Sequence, residues 1–149
     1  MDNIDMNTIV SEALSFLEPE TDGREIRWTL HPMPRVHADS EMIRQVWINL
    51  LSNAIKYTRN RESAEIEIGA INEDKEDVFF IRDNGTGFDM NYSQKLFGVF
   101  QRLHTHNEFE GTGIGLANVR QVINRHRGRT WAVGEMNSGA TFYFSLPRN

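Results

Sequence analysis

The chain contains no cysteine. Disulfides, thiolate metal sites and cysteine nucleophiles are therefore excluded, and the composition fits a reducing compartment. Positive charge is not in excess either. Lys and Arg number 16 against 21 Asp and Glu, a formal net charge of −5, which argues against broad nucleic-acid binding. No run approaches the roughly 18 apolar residues of a membrane span. The first residues, Met1-Asp2-Asn3-Ile4-Asp5, lack the basic-then-apolar order of a signal peptide. Two common phosphate-binding signatures are missing. There is no Gly-x-x-x-x-Gly-Lys-Ser/Thr run, and Gly111-x-Gly113-x-Gly115 is not the Gly-x-Gly-x-x-Gly spacing of dinucleotide folds. What remains is a chain of 149 residues, 39% hydrophobic and 25% charged. That suits one globular, cytoplasmic domain over residues 1–149, with no internal repeat, no linker and no membrane contact.

Apolar periodicity outlines the elements. Ile9, Val10, Ala13, Leu14 and Leu17 share one helical face, with Asp5 or Asn7 as the cap, Pro19 just past the end and a turn at Thr21-Asp22-Gly23. Ile26, Trp28 and Leu30 alternate with charged or polar residues as a half-buried strand, which Pro32 and Pro34 break. A short extended piece follows at Arg35-Val36-His37. Asp39 caps a second helix that runs to about Tyr57, with Ile43, Val46, Trp47, Leu50, Leu51 and Ala54 on its apolar face. Two strands follow, centred on residues 66–70 and 78–82. The second delivers Asp83. Residues 94–100 read as a short helix. Residues 101–110 are a polar run without period, and the whole of about 89–112 reads as a lid over a site, with Phe97, Phe100 and Phe109 as packing anchors. Helical spacing returns at 114–125 and ends at Gly128. Strands at 130–133 and 141–146 finish the chain, the last with Phe142, Phe144 and Leu146 facing one way.

Three stretches carry chemistry. Asn49, Asn53 and Lys56 recur at i, i+4 and i+7, which makes them one polar stripe bordering a buried helix face. Asp83-Asn84-Gly85-Thr86-Gly87 places a carboxylate and two glycines at a strand end, where backbone passes close to something flat or anionic. Gly111, Gly113 and Gly115 open a helix whose N-terminal N–H groups suit phosphate. Together they read as one nucleotide pocket. A buried carboxylate at Asp83 suits the exocyclic amine of adenine and not the carbonyl of guanine. Gly87 leaves room for the base, Asn53 offers an amide oxygen to Mg²⁺, and Lys56 neutralises phosphate. Arg102 is placed to stabilise charge on the terminal phosphate. His104 and His106 read as exposed lid residues, not as a metal pair.

These boxes resemble those of the catalytic and ATP-binding domain of sensor histidine kinases, in the GHKL group with gyrase, heat-shock chaperone and mismatch-repair ATPases. Residues 49–57 resemble the N box, Asp83-x-Gly85-x-Gly87 the G1 box, Leu96-Phe97-x-x-Phe100-x-Arg102 the F box, and Gly111-Thr112-Gly113-Ile114-Gly115-Leu116 the G2 box. Gly139-Ala140-Thr141-Phe142 resembles the closing element. The wording around residues 100–104 and the tail 139–147 is most similar to phytochrome-type kinases.

The resemblance implies an α/β (α+β) fold of the Bergerat or GHKL type. That is a two-layer sandwich with a mixed sheet of about five strands covered on one face by three helices. It implies ATP and Mg²⁺ as ligands. Asn53 would bind the metal, Lys56 and the backbone from Gly111 to Leu116, including Thr112, would hold phosphates, and Asp83 would read adenine. Tyr57 would pack beside the base, and Thr141 would support Asp83 or a water beside it.

Three departures qualify the resemblance. In GHKL ATPases a glutamate four residues before the Mg²⁺ asparagine activates water; here that place holds Asn49, and a neutral amide cannot act as a general base. The expected activity is therefore phosphoryl transfer with little hydrolysis, Asn49 orienting a water or a phosphate. None of His31, His37, His104, His106 and His126 sits in a phosphoacceptor motif. The expected partner is then a separate helical hairpin for dimerisation and phosphoacceptance, absent from this chain, with a response regulator downstream and the fragment itself a monomer. A GHKL serine kinase or ATPase, or a non-catalytic nucleotide-sensing module, is the alternative. Arg127 stands where similar proteins often have glycine, which predicts a changed helix end without loss of ATP binding.

Overall fold

In the computed structural model, residues 1–87 and 114–148 are described. The elements run β1 (Asp2–Asp5), α1 (Met6–Phe16), α2 (Glu18–Thr21), β2 (Glu25–Leu30), β3 (Arg35–Ala38), α3 (Ser40–Tyr57), β4 (Ser63–Asn72), β5 (Glu76–Asp83), α4 (Ile114–Arg125), β6 (Thr130–Glu135) and β7 (Gly139–Pro147). Five strands form one sheet in the order β2-β4-β5-β7-β6, and β1 pairs with β3 in a separate two-stranded sheet. The β2–β4 pair is parallel and the other three pairs of the large sheet are antiparallel. The mixed sheet with a helical layer is the expected architecture.

The helices start where side chains can cap them. Asp5 accepts from the Asn7 N–H at 3.0 Å to open α1, and Asp39 accepts from the Met42 N–H at 3.0 Å to open α3. α3 packs between α1 and α4. Its Trp47 is fully buried, edge-on to Phe144 at 5.2 Å between ring centroids, and Phe144 stacks on Phe79 at 5.2 Å. Ile66, Ile68, Phe79, Ile81, Phe142 and Phe144 give the sheet an apolar inner face that closes this core. The outer face is polar and aromatic. Arg82 pairs with Glu67 at 3.0 Å, Trp131 stacks on Tyr143 at 5.0 Å, and the Arg129 guanidinium covers Trp131.

Pro19 lies just past the end of α1, as expected, and falls in the first turn of α2, a separate helical turn, where no N–H is needed from proline. That turn also takes in Thr21, so the connection reduces to Asp22 and Gly23. The N-terminal residues form β1, which has no strand signature of its own and is held by pairing with β3. At the other end of the chain, the changed helix end expected at Arg127 is not seen: α4 closes in the left-handed way usual for a glycine at this place. Arg127 adopts φ 64° where glycine is favoured, and the Gly128 N–H reaches back to the Ile123 carbonyl at 2.9 Å.

Candidate functional site

The site is assembled at the C-terminal end of α3. β5 hands over to a turn that begins with Asp83, and Asn84 continues the pairing of β5 with β4 through its side chain. The Asn84 Oδ1 accepts from the Glu65 N–H at 2.9 Å, and its Nδ2 donates to the Ser63 carbonyl at 3.2 Å. The next residues fold against α3. The Thr86 N–H donates to the Tyr57 carbonyl at 3.0 Å.

Asp83 is 5% exposed. Its Oδ1 accepts from the Gly85 N–H at 2.8 Å, and the Ala140 N–H also donates to the carboxylate. Burial pushes the carboxyl up to about 6, and the two N–H donors limit that rise. The carboxylate therefore faces the helical side of the sheet, aimed and partly desolvated.

The two glycines of this turn have a reason within the protein itself. A Cβ at Gly85 would overlap the Tyr57 carbonyl oxygen, and one at Gly87, which has φ 67°, would overlap the Glu135 carbonyl oxygen. What passes close to them is the protein's own backbone, from α3 on one side and the β6–β7 hairpin on the other.

The α3 stripe lies as expected on a half-buried surface. Asn53 and Lys56 make no side-chain hydrogen bond with the described residues, so an amide oxygen suited to Mg²⁺ and an ammonium suited to phosphate are left over at the helix edge. Asn49 is different. Its Nδ2 donates to the Gly115 carbonyl at 3.1 Å, and its Oδ1 accepts from Gln45 at 3.1 Å. Both ends of this amide are engaged, and the Nδ2 end ties α3 to the first turn of α4. Leu116 points into the core at 5% exposure. Among the described residues no group of three His, Asp or Glu could hold a metal.

Thr141 is the misplaced expectation. It pairs in register with Arg82, while Asp83 pairs with Ala140. Strand alternation puts the Thr141 hydroxyl on the outer face, where it accepts from Arg82 Nε at 3.3 Å, and not beside the Asp83 carboxylate. Arg102, Gly111, Thr112, Gly113, His104, His106, the short helix at 94–100 and the lid at 89–112 lie outside the described residues.

Two arginines carry no motif, and sequence reasoning misses both. Arg24 holds the end of α3, with Nη1 on the Ile55 carbonyl at 2.6 Å and Nη2 on the Thr58 carbonyl and hydroxyl at 3.0 Å each. Arg61 holds the turn after Asp83. Its Nε donates to the Asn84 carbonyl at 2.8 Å, and its Nη2 donates to the Gly85 carbonyl at 3.2 Å and to the Asn137 carbonyl at 2.5 Å. Backbone acceptors leave no mark in a sequence, so no pattern points to either residue.

A buried carboxylate at a central strand end, joined to a helix edge with spare amide and ammonium groups, defines a nucleotide-binding α/β sandwich. Its particular kind follows from comparison: the chain belongs to the family of histidine kinase-, DNA gyrase B-, and HSP90-like ATPases, whose model matches residues 38–149. It is 46% identical over 119 residues to cyanobacterial phytochrome A of Nostoc sp. (80% of this chain, 15% of that one). It is 39% identical over 145 residues to the phytochrome-like protein Cph1 of Synechocystis sp. (96% and 19%). The chain thus spans under a fifth of the length of these relatives. Among solved structures, the mycobacterial sensor histidine kinase MprB superposes with TM-score 0.82 at 23% identity, covering 98% of this chain and 97% of that one, a likeness of fold. Full-length ShkA in complex with AMPPNP superposes with TM-score 0.80 at 27% identity, covering 98% and 30%. No helix among the described residues is long and apolar enough to cross a membrane.

Proposed function

We propose that this domain binds ATP with Mg²⁺ and transfers the γ-phosphoryl group to a histidine on a separate helical hairpin domain, as the catalytic unit of a cytoplasmic two-component sensor kinase that feeds a response regulator. The observation that carries the reading is Asp83, buried at the end of β5, supported by two backbone N–H groups and tied through Gly85 and Thr86 to the end of the helix that bears Asn53 and Lys56. The carboxylate accepts from the adenine amine. Lys56 meets phosphate oxygens. The Asn53 amide oxygen, with no protein partner among the described residues, fits Mg²⁺, which when bound offsets phosphate charge. Arg102 and the backbone of Gly111, Thr112 and Gly113 complete the phosphate site in this reading. The complex of ShkA with AMPPNP supports a nucleotide in the same fold.

The reaction breaks the bond between the γ-phosphorus and the ADP oxygen, forms a bond from phosphorus to an imidazole nitrogen, and releases the imidazole proton to solvent. Catalysis is positioning and charge stabilisation. Asn49 serves it by holding the first turn of α4, since both ends of its amide are occupied. That engagement, with the lack of a carboxylate there, disfavours the ATPase alternative.

The test is a transfer assay with labelled ATP, a supplied hairpin domain from a similar kinase, and this chain. The expected product is label on the hairpin that survives base and is lost in acid, with none on this chain and ATP hydrolysis far slower than transfer. Acid-stable label would move the reading to a serine kinase, and rapid hydrolysis without label to an ATPase.

A further inference from the structure

The Arg61 guanidinium is directed at three backbone carbonyls, those of Asn84, Gly85 and Asn137. These oxygens belong to two separate segments, the turn after β5 and the β6–β7 hairpin. Arg61 itself is anchored to a third, the end of α3, through its N–H on the Thr58 carbonyl at 3.0 Å. Without the cation, the three carbonyl dipoles would converge on one another, and the turn would have to open to let water satisfy them. The hairpin is committed to this contact as well. Asn137 has φ 66°, and its N–H donates to the Thr86 carbonyl at 2.6 Å. The position of the Gly85 N–H, and hence the aim of the carboxylate it supports, follows from where these carbonyls are held.

We propose that Arg61 is a positioning residue of the adenine pocket: by holding the carbonyls of Asn84, Gly85 and Asn137 together, it fixes the turn that presents the Asp83 carboxylate to the base. It acts without touching nucleotide. The inference rests on the nucleotide-binding reading above and adds a residue outside every motif box. A lysine at this position keeps the charge but not the planar fork that serves several acceptors at once, so Arg61→Lys restores only part of the function.

The test is calorimetric titration of the chain with ADP between about pH 5 and pH 8, as wild type, Arg61→Ala, Arg61→Lys and Lys56→Ala. Asp83 is held by the Gly85 and Ala140 N–H groups, neither of which titrates, so a change in its surroundings shows as a moved midpoint. Arg61→Ala is expected to weaken binding at neutral pH by about tenfold and to move the midpoint of the pH profile upward, as the Gly85 N–H leaves the carboxylate. Lys56→Ala is expected to weaken binding through the phosphates, and Arg61→Lys to fall between wild type and Arg61→Ala. Wild-type binding by Arg61→Ala, or a loss with the midpoint unmoved, overturns the proposal.

If Arg61→Ala does not fold, the amide resonance of Gly85 decides the matter in Arg61→Lys. In wild type it follows the titration of Asp83. A weakened response in the variant supports positioning, and an unchanged one refutes it. This second measurement needs no nucleotide. If folded wild type binds no ADP, the functional reading fails by itself, while the role of Arg61 in holding the turn is still decided.

Discussion

At its N-terminal end, α3 is closed by partners. Asp39 caps it through the Met42 N–H, the Asp39 N–H donates to His126 Nε2 at 3.1 Å, and Ile43, Val46 and Trp47 are buried. At its C-terminal end the backbone is just as well held, by Arg24 on the Ile55 and Thr58 carbonyls, yet the side chains of Asn53 and Lys56 are left without hydrogen-bond partners among the described residues. The same helix is saturated at one end and has spare capacity at the other. Polar groups on a half-buried surface are costly to leave unmatched, so spare capacity beside a rigid backbone marks where a ligand completes the fold's hydrogen bonding. The closed end serves stability and the open end serves binding, and variants at each end should separate the two.

The largest effect is expected at the closed end. Trp47→Ala removes a fully buried indole packed edge-on to Phe144, whose N–H also points to the Met6 sulfur. It should lower unfolding free energy by about 3–5 kcal/mol, read from urea denaturation. A loss under about 1 kcal/mol would mean that the core collapses around the gap and that the closed end is not the stability centre.

A slightly smaller effect is expected from Asp83, and it has opposite signs for stability and for binding. The folded carboxyl titrates at about 6 against an ordinary value of 3.8, so the folded state holds its proton more tightly than the unfolded chain. The stabilisation from the protonated carboxyl is fully present below 3.8 and is lost as pH rises through about 6. At about 1.4 kcal/mol per pKa unit it amounts to roughly 3 kcal/mol. Adenine recognition runs the other way, because the ionised carboxylate is the stronger acceptor, so ADP affinity should rise with pH through about 6. Denaturation of wild type and Asp83→Asn over this range isolates the contribution. Parallel stability profiles for the two proteins would remove it. Asp83→Asn should also abolish ADP binding, because the backbone N–H groups hold the amide oxygen and turn the amide NH₂ toward the adenine amine.

Much of this division is legible in the amino-acid sequence, for reasons that differ by element. α3 is legible from the Asp39 cap to Tyr57 because a capping carboxylate and a helical apolar stripe are local signals. β5 is legible because a short, continuous apolar run can only be a buried strand or helix, and the acidic turn after it settles the choice. β1 is not, because its partner is distant in the chain and only pairing with β3 makes it a strand. Thr141 is expected beside Asp83 by resemblance alone; the alternation along its own strand, with Phe142 and Phe144 facing the core, points its side chain to the opposite face. Gly85 and Gly87 are recognisable as close-approach positions, but the approaching group is backbone from distant segments, which no local pattern names. Arg24 and Arg61 are invisible for the complementary reason: carbonyl acceptors are present at every residue.

The smallest change sharpens the comparison most. Asn53 lies within α3, half-buried, and bonds to no described residue, so Asn53→Ala removes no protein hydrogen bond among them and substitutes a better helix former. Its stability should stay within about 0.5 kcal/mol of wild type, in contrast to Trp47→Ala earlier on the same helix. Its binding should not be spared. If the amide oxygen is a Mg²⁺ ligand, wild type binds ADP differently with and without the metal, and the variant loses that difference while retaining the metal-independent part supplied by Asp83. Thermal unfolding beside ADP titrations with Mg²⁺ and with chelator checks both halves. A large drop in stability would make Asn53 part of the closed end, and an intact Mg²⁺ effect would place the metal on other groups. An unchanged fold with the metal dependence gone would show that the open end of α3 directs its spare hydrogen-bonding capacity to the ligand.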